Sequence, residues 1–147
     1  MPQFYRNVAI DPLTKYRNFA ILTGELAVPQ TDVIFFADKD GNAPVLDWLD
    51  TLPLKVQDKC IAFVERLAEW GHDLRRPDCD YLRDDIYELR VGRQGINYRI
   101  LYFFNEGRAV LSHGIIKEKE VPPGESDKAV ANRLLFIKDS GTHTFEG

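Results

Sequence analysis

The sequence predicts an α+β fold: N-terminal helices packed on a small antiparallel sheet of about four strands, followed by a C-terminal helix. Three observations carry this. Between Ile86 and Lys119, three β-like runs follow one another, separated by short polar or glycine-bearing turns. Before them, Leu54–Trp70 has the wide apolar stripe of a helix lying on a sheet. After them, the break Pro122-Pro-Gly124 opens a last helical stretch.

In chain order, residues 1–31 show no clear period. Asp11-Pro12 and Pro29 interrupt them, and their aromatics are scattered, so they read as a variable extension packed on the domain or partly disordered. A role in dimer contact or in docking a partner is the alternative. The domain proper spans 32–138. Val33-Ile-Phe-Phe36 is a first strand, ended by Asp38-Lys-Asp-Gly41. Ala43 to Asp50 is a short helix with Pro44 in its first turn. Thr51 is a plausible N-cap for the long helix, and Gly71 a suitable residue to end it. His72 to Asp85 reads as a polar connection, in which Arg75 and Arg76 could touch phosphate but, beside Asp73, Asp78 and Asp80, are expected simply to be solvated. The meander then runs Ile86–Val91, Tyr98–Phe104 and Ala109–Ile116. Acids at Glu125 and Asp127 suit the positive end of the final helix, which continues to about Lys138. Residues 139–147 read as a frayed tail, with His143 of no consequence.

At 147 residues the chain is long enough to bury a core without disulfides or metals. An apolar fraction of 44% fits a globular protein. No run reaches the roughly 18 to 20 apolar residues of a membrane helix, and no signal-peptide pattern is present, so a cytoplasmic location is expected. Cys60 and Cys79 have neither metal nor redox spacing. The net charge of −4 argues against indiscriminate nucleic-acid binding. It is unevenly spread. Residues 1–81 carry 9 basic against 13 acidic groups, residues 82–138 carry 10 against 8, and the last nine residues add two acids.

Alternation along a strand places Arg90 with Glu88 on one face, opposite Tyr87, Leu89 and Val91. A third strand extended to its end puts His113, Lys117 and Lys119 on one side. Arg90, Arg99, His113, Lys117 and Lys119 without an acidic cluster could hold a polyanion. For Arg99 the structural alternative is an internal salt bridge with Glu88 on the neighbouring strand. Tyr102 could stack on a base, with core packing as its plainer role. The scattered acids and lone histidines offer no metal site, and no cofactor is expected.

Tyr87-Glu-Leu-Arg90, Tyr98-Arg-Ile-Leu-Tyr-Phe103 and His113-Gly-Ile-Ile-Lys-Glu-Lys119, followed by Pro122 and Ala129, resemble the phage-derived Gp49-like (HigB-like) proteins of the RelE/ParE toxin superfamily. The resemblance runs from about Val33 to about Lys138. It implies a RelE-like fold and the toxin of a type II toxin–antitoxin module. It further implies metal-independent cleavage of mRNA, often on the ribosome, by attack of a 2′-hydroxyl on its neighbouring phosphate. Arg90 and Arg99 would then bind phosphate. Arg99, Lys117, Lys119 and His113 would be the catalytic candidates, and Tyr102 the stacking one. The partners implied are mRNA or the ribosome and a helix-turn-helix (HigA-like) antitoxin, with a homodimer left open. Two other readings stand beside it: a ParE-like inhibitor that binds DNA gyrase, and an inactive remnant that only binds its partner.

Overall fold

A computed structural model describes residues 31–147. The extension expected over 1–31 lies outside the described residues apart from Thr31. The elements are β1 (Val33–Phe35), α1 (Pro44–Leu49), α2 (Leu54–Trp70), a 3-10 turn (Gly71–Asp73), β2 (Cys79–Arg83), β3 (Ile86–Arg93), β4 (Ile96–Asn105), β5 (Arg108–Lys117) and α3 (Pro123–Lys138). The α+β class holds, but the described sheet has five strands, in the order β1-β5-β4-β3-β2. It is also mixed, because β1 runs parallel to β5 while the other pairs are antiparallel.

The additional strand is β2, inside the segment expected to be a polar connection. Three consecutive hairpins explain both its presence and its concealment. Each closes on a two-residue loop whose residues both have positive φ: Asp84-Asp85, Gln94-Gly95 and Glu106-Gly107. Such loops match the twist of the flanking strands. The second and third carry glycine at their second position; the first has no glycine, so its sequence does not announce a hairpin. The second loop also lets β3 and β4 run further than the sequence suggests, to Arg93 and from Ile96.

Alternation gives the sheet two buried faces. On one, α1 and α2 cover Leu89, Val91, Tyr98, Ile100, Tyr102 and Leu111. Trp48 of α1 lies directly over Gly114, where any side chain would collide with its indole. Thr51 does not cap α2; its hydroxyl donates to the Trp48 carbonyl at 2.6 Å and so serves the end of α1. Gly71 ends α2 as expected, with φ of 53° and its N–H on the Leu67 carbonyl. On the other face, α3 sets Ala129 and Phe136 against Ile86, Leu101, Phe103, Val110 and Ile115. Arg83 bonds Asp127 and thereby ties the β2–β3 loop to the start of this helix.

The C-terminal residues are docked, not frayed. His143 stacks on Phe36 and its Nδ1–H donates to the Ala37 carbonyl at 2.7 Å. Thr144 bridges Phe36, and the Phe145 N–H donates to the Phe35 carbonyl at 2.9 Å. The free edge of β1 is thereby covered, which removes a row of unpaired backbone groups.

The two sides of α3 make a direct test of this packing. Phe136 is fully buried, whereas Leu134 is 58% exposed. Phe136→Ala is expected to cost about 3–5 kcal/mol in urea unfolding, and Leu134→Ala no more than about 0.5 kcal/mol. Equal losses would contradict the placement of the helix.

Candidate functional site

The register fixes which polar side chains share the α3 side of the sheet. Arg90 lies opposite Arg99, and Arg99 opposite Ile115. Two residues along, Glu88 lies opposite Leu101, and Leu101 opposite His113. Glu88, Arg90, Arg99, His113 and Lys117 therefore occupy one face. Its apolar part sits beneath α3, and the charged part adjoins it.

Glu88 is the centre, and the sequence reading gave it no part except as a salt-bridge partner. Its Oε1 lies 3.1 Å from Arg99 Nε and 3.5 Å from Lys117 Nζ. All three side chains are buried, with exposures of 5%, 5% and 7% for Glu88, Arg99 and Lys117. The internal salt bridge weighed for Arg99 is thus present, and Lys117 shares it. The contact is not saturated. The Arg99 Nε–H does not point along the line to the carboxylate, and neither Arg99 Nε nor Glu88 Oε1 has a hydrogen-bond partner. Arg99 Nη1 donates instead to its neighbour's carbonyl, Tyr98 O, at 2.9 Å. Burial holds the Arg99 guanidinium below its ordinary pKa; Glu88 opposes that shift and Arg90 adds to it. It remains a cation, since arginine starts far above neutrality.

Arg90 differs. It is half-buried, and its guanidinium has no hydrogen bond or ion pair among the described residues. Its field helps hold the Asp80 carboxyl below the usual range, a shift led by the hydrogen bond from Arg76. Lys119 departs from expectation: β5 ends at Lys117, and Lys119 lies beyond it, exposed in the bend before α3.

His113 is on this face but is engaged at both ring nitrogens. Its Nδ1 is 2.9 Å from Ser112 Oγ and its Nε2 3.2 Å from Glu125 Oε1. Asn132 Nδ2 donates to the same Ser112 oxygen at 2.9 Å. A carboxylate only accepts, so Nε2 carries the proton and Nδ1 accepts from the serine hydroxyl. No lone pair is left for a substrate. Ser112 is turned into this network by a bulge between Leu101 and Tyr102 in the β4–β5 pairing. Burial lowers the His113 pKa, Lys128 lowers it further, and Glu125 pulls it back.

Tyr102 points to the opposite face. It is 1% exposed, packed against Tyr87 and Phe104, and therefore a core residue rather than a stacking platform. Burial, with Cys79 beside it, pushes its phenol far above the ordinary range. An open cavity of about 330 Å³ beside Tyr87, Phe104 and Arg133 lies at the other end of the strands from Lys117. Among the described residues no cluster of three or more His, Cys, Asp or Glu side chains could hold a metal ion, and no helix is long and apolar enough to cross a membrane.

The family model "Phage derived protein Gp49-like (DUF891)" matches residues 47–135, from α1 to near the end of α3. The chain belongs to this Gp49-like family, which is associated with toxin–antitoxin modules. No curated protein matches it.

The His113 network makes stability depend on pH with a definite sign. The folded-state pKa lies below the unfolded value of about 6.5. Above that pH His113 is neutral in both states and its contribution is complete. As pH falls, the unfolded chain binds the proton first, so stability drops. Urea unfolding at about pH 7 and about pH 5.5 should show this loss in the wild type and a smaller one in His113→Gln. Identical losses would contradict a buried neutral His113.

Proposed function

We propose that this chain is the toxin of a type II toxin–antitoxin module, RelE-like in architecture, that cuts mRNA without a metal ion. Its setting would be the cytoplasm, and a helix-turn-helix antitoxin would neutralise it. The observation that supports this best is the convergence of Arg99 and Lys117 on the Glu88 carboxylate, with Arg90 on the same sheet face. Arg99 and Lys117 outnumber the carboxylate they share, which leaves positive charge where a phosphate could bind.

The chemistry needs a proton acceptor for the attacking 2′-hydroxyl and cationic donors for the phosphorane oxygens. An acid must also protonate the leaving 5′-oxygen. Arg90 is the entry point, because its guanidinium is unpaired among the described residues and its fork suits two phosphate oxygens. Arg99 holds the charge that develops, turning from its poorly aligned contact with Glu88 to the substrate. Glu88 is then the group positioned to accept the hydroxyl proton, which the occupied His113 is not. Lys117, released from the same carboxylate, is the candidate acid. Lys119 contributes long-range attraction from the strand's end. Positioned proton transfer of this kind is typically worth about 10²–10⁴ in rate.

A second reading has its own support. Leu134, Leu135 and Ile137 leave apolar side chains exposed on α3. Such a surface fits a protein target, as in a gyrase inhibitor of the ParE type.

Induced expression, with and without an adjacent helix-turn-helix gene, separates the two. The nuclease reading predicts growth arrest with message cut inside reading frames. It also predicts that Arg99→Lys and Lys117→Arg, which keep a cation beside Glu88, lower cleavage by at least about 100-fold while the fold survives. Arrest with intact message and trapped gyrase would favour the protein-target reading. Full toxicity in both variants would refute the site.

A further inference from the structure

The cations of this face cross the strands instead of following one. Lys117 is on β5, Arg99 on β4, and Arg90 opposite it on β3. The next lane carries Arg76. The Arg90 N–H donates to the Asp78 carbonyl at 2.8 Å, which lays the 76–78 segment beside β3. Arg76 Nη2 reaches Asp80 Oδ2 at 2.7 Å, and Asp80 lies opposite Glu88 in the β2–β3 register. Arg76 is also close enough to Glu88 for that carboxylate to help raise its pKa, after the larger effect of Asp80.

Neighbouring strands stand about 4.8 Å apart, so the three steps from β5 to β2 cover about 14 Å. One phosphate cannot span that distance. The two ends also differ in kind. Arg99 and Lys117 are recessed, with side chains 5% and 7% exposed. The Arg76 side chain is 73% exposed, and its pair with Asp80 is a surface pair, screened and readily exchanged. A recessed end favours a single strand over the outer backbone of a duplex.

We propose that Arg76 forms a second phosphate subsite, with Arg90 between it and the first phosphate at Arg99 and Lys117, so that single-stranded RNA lies across the strands from Lys117 to Arg76. Arg76 is then a positioning residue for substrate length, and Asp80 is the counterion that the incoming phosphate displaces. This rests on the reading that the face binds RNA.

The test uses the full chain and 2′-O-methyl RNA, in which the attacking hydroxyl is blocked. Fluorescence anisotropy gives the affinities of a dinucleotide, a tetranucleotide and a hexanucleotide. The wild type should bind the tetranucleotide roughly tenfold more tightly than the dinucleotide, the gain expected of one added charged contact. Arg76→Ala should abolish that gain, leave the dinucleotide affinity unchanged, and make the salt dependence for the tetranucleotide shallower by about one phosphate's worth. Asp80→Asn should tighten tetranucleotide binding, an effect that a purely structural role for the pair would not produce. If the length gain survives Arg76→Ala, the second subsite is refuted although the face still binds RNA. If the wild type binds none of the oligomers, RNA recognition by this face is refuted, and the subsite with it.

Discussion

A carboxylate buried between two buried cations is the constraint around which the charged half of this sheet is arranged. Glu88 cannot remain ionised away from water without partners, and Arg99 and Lys117 supply them from the next two strands. Removing one member of such a buried set typically costs about 3–5 kcal/mol, because the others are left uncompensated. The cluster therefore holds β3, β4 and β5 in one register, since a slip of one residue would send Glu88 or Arg99 to the opposite face. The hydrophobic half of the same face, under α3, makes the same demand through Leu101, Phe103 and Phe136.

The cluster is incompletely hydrogen-bonded in one specific respect. Arg99 Nε and Glu88 Oε1 are close but poorly aligned, and beyond the ion pairs that Glu88 makes with Arg99 and Lys117 neither atom has a hydrogen-bond partner. A fully bonded pair would resist any competitor. This one retains hydrogen-bonding capacity that a phosphate oxygen could use, and the Arg90 guanidinium beside it has no hydrogen bond or ion pair among the described residues. The neighbouring His113 network works in the opposite sense. Ser112, Asn132 and Glu125 fill the positions around the ring and fasten β5 to α3. The histidine is thereby assigned to the scaffold, and the proposed chemistry falls to Glu88.

Parts of this were legible in the sequence for clear reasons. The β3–β5 meander shows itself through β-branched and aromatic residues, with glycines at Gly95 and Gly107. A salt bridge between Glu88 and Arg99 on the neighbouring strand was legible as the structural alternative for that arginine, and the two are two residues apart in the register. The edge strand β2 was hidden because it is short and polar and turns on Asp84-Asp85 rather than on a glycine. The docking of His143 and Phe145 on β1 was hidden because it joins chain ends about a hundred residues apart, which no local pattern reports. Lys117 was expected at a strand end, but its reach back to Glu88 depends on side-chain direction. Tyr102 carried two readings, and burial selected the core. The partners of His113 come from a bulge and from a helix whose docking the sequence does not specify.

The central claim is that Glu88 is a placeholder for phosphate at Arg99. The most direct measurement follows the Arg99 Nε–H resonance by 15N NMR while a 2′-O-methyl RNA dinucleotide is titrated in. The account predicts a saturable shift of that signal, with Lys117 Nζ moving at the same ligand concentration as both cations leave the carboxylate. Saturable binding elsewhere on the protein, with the Arg99 signal unmoved throughout, would contradict it.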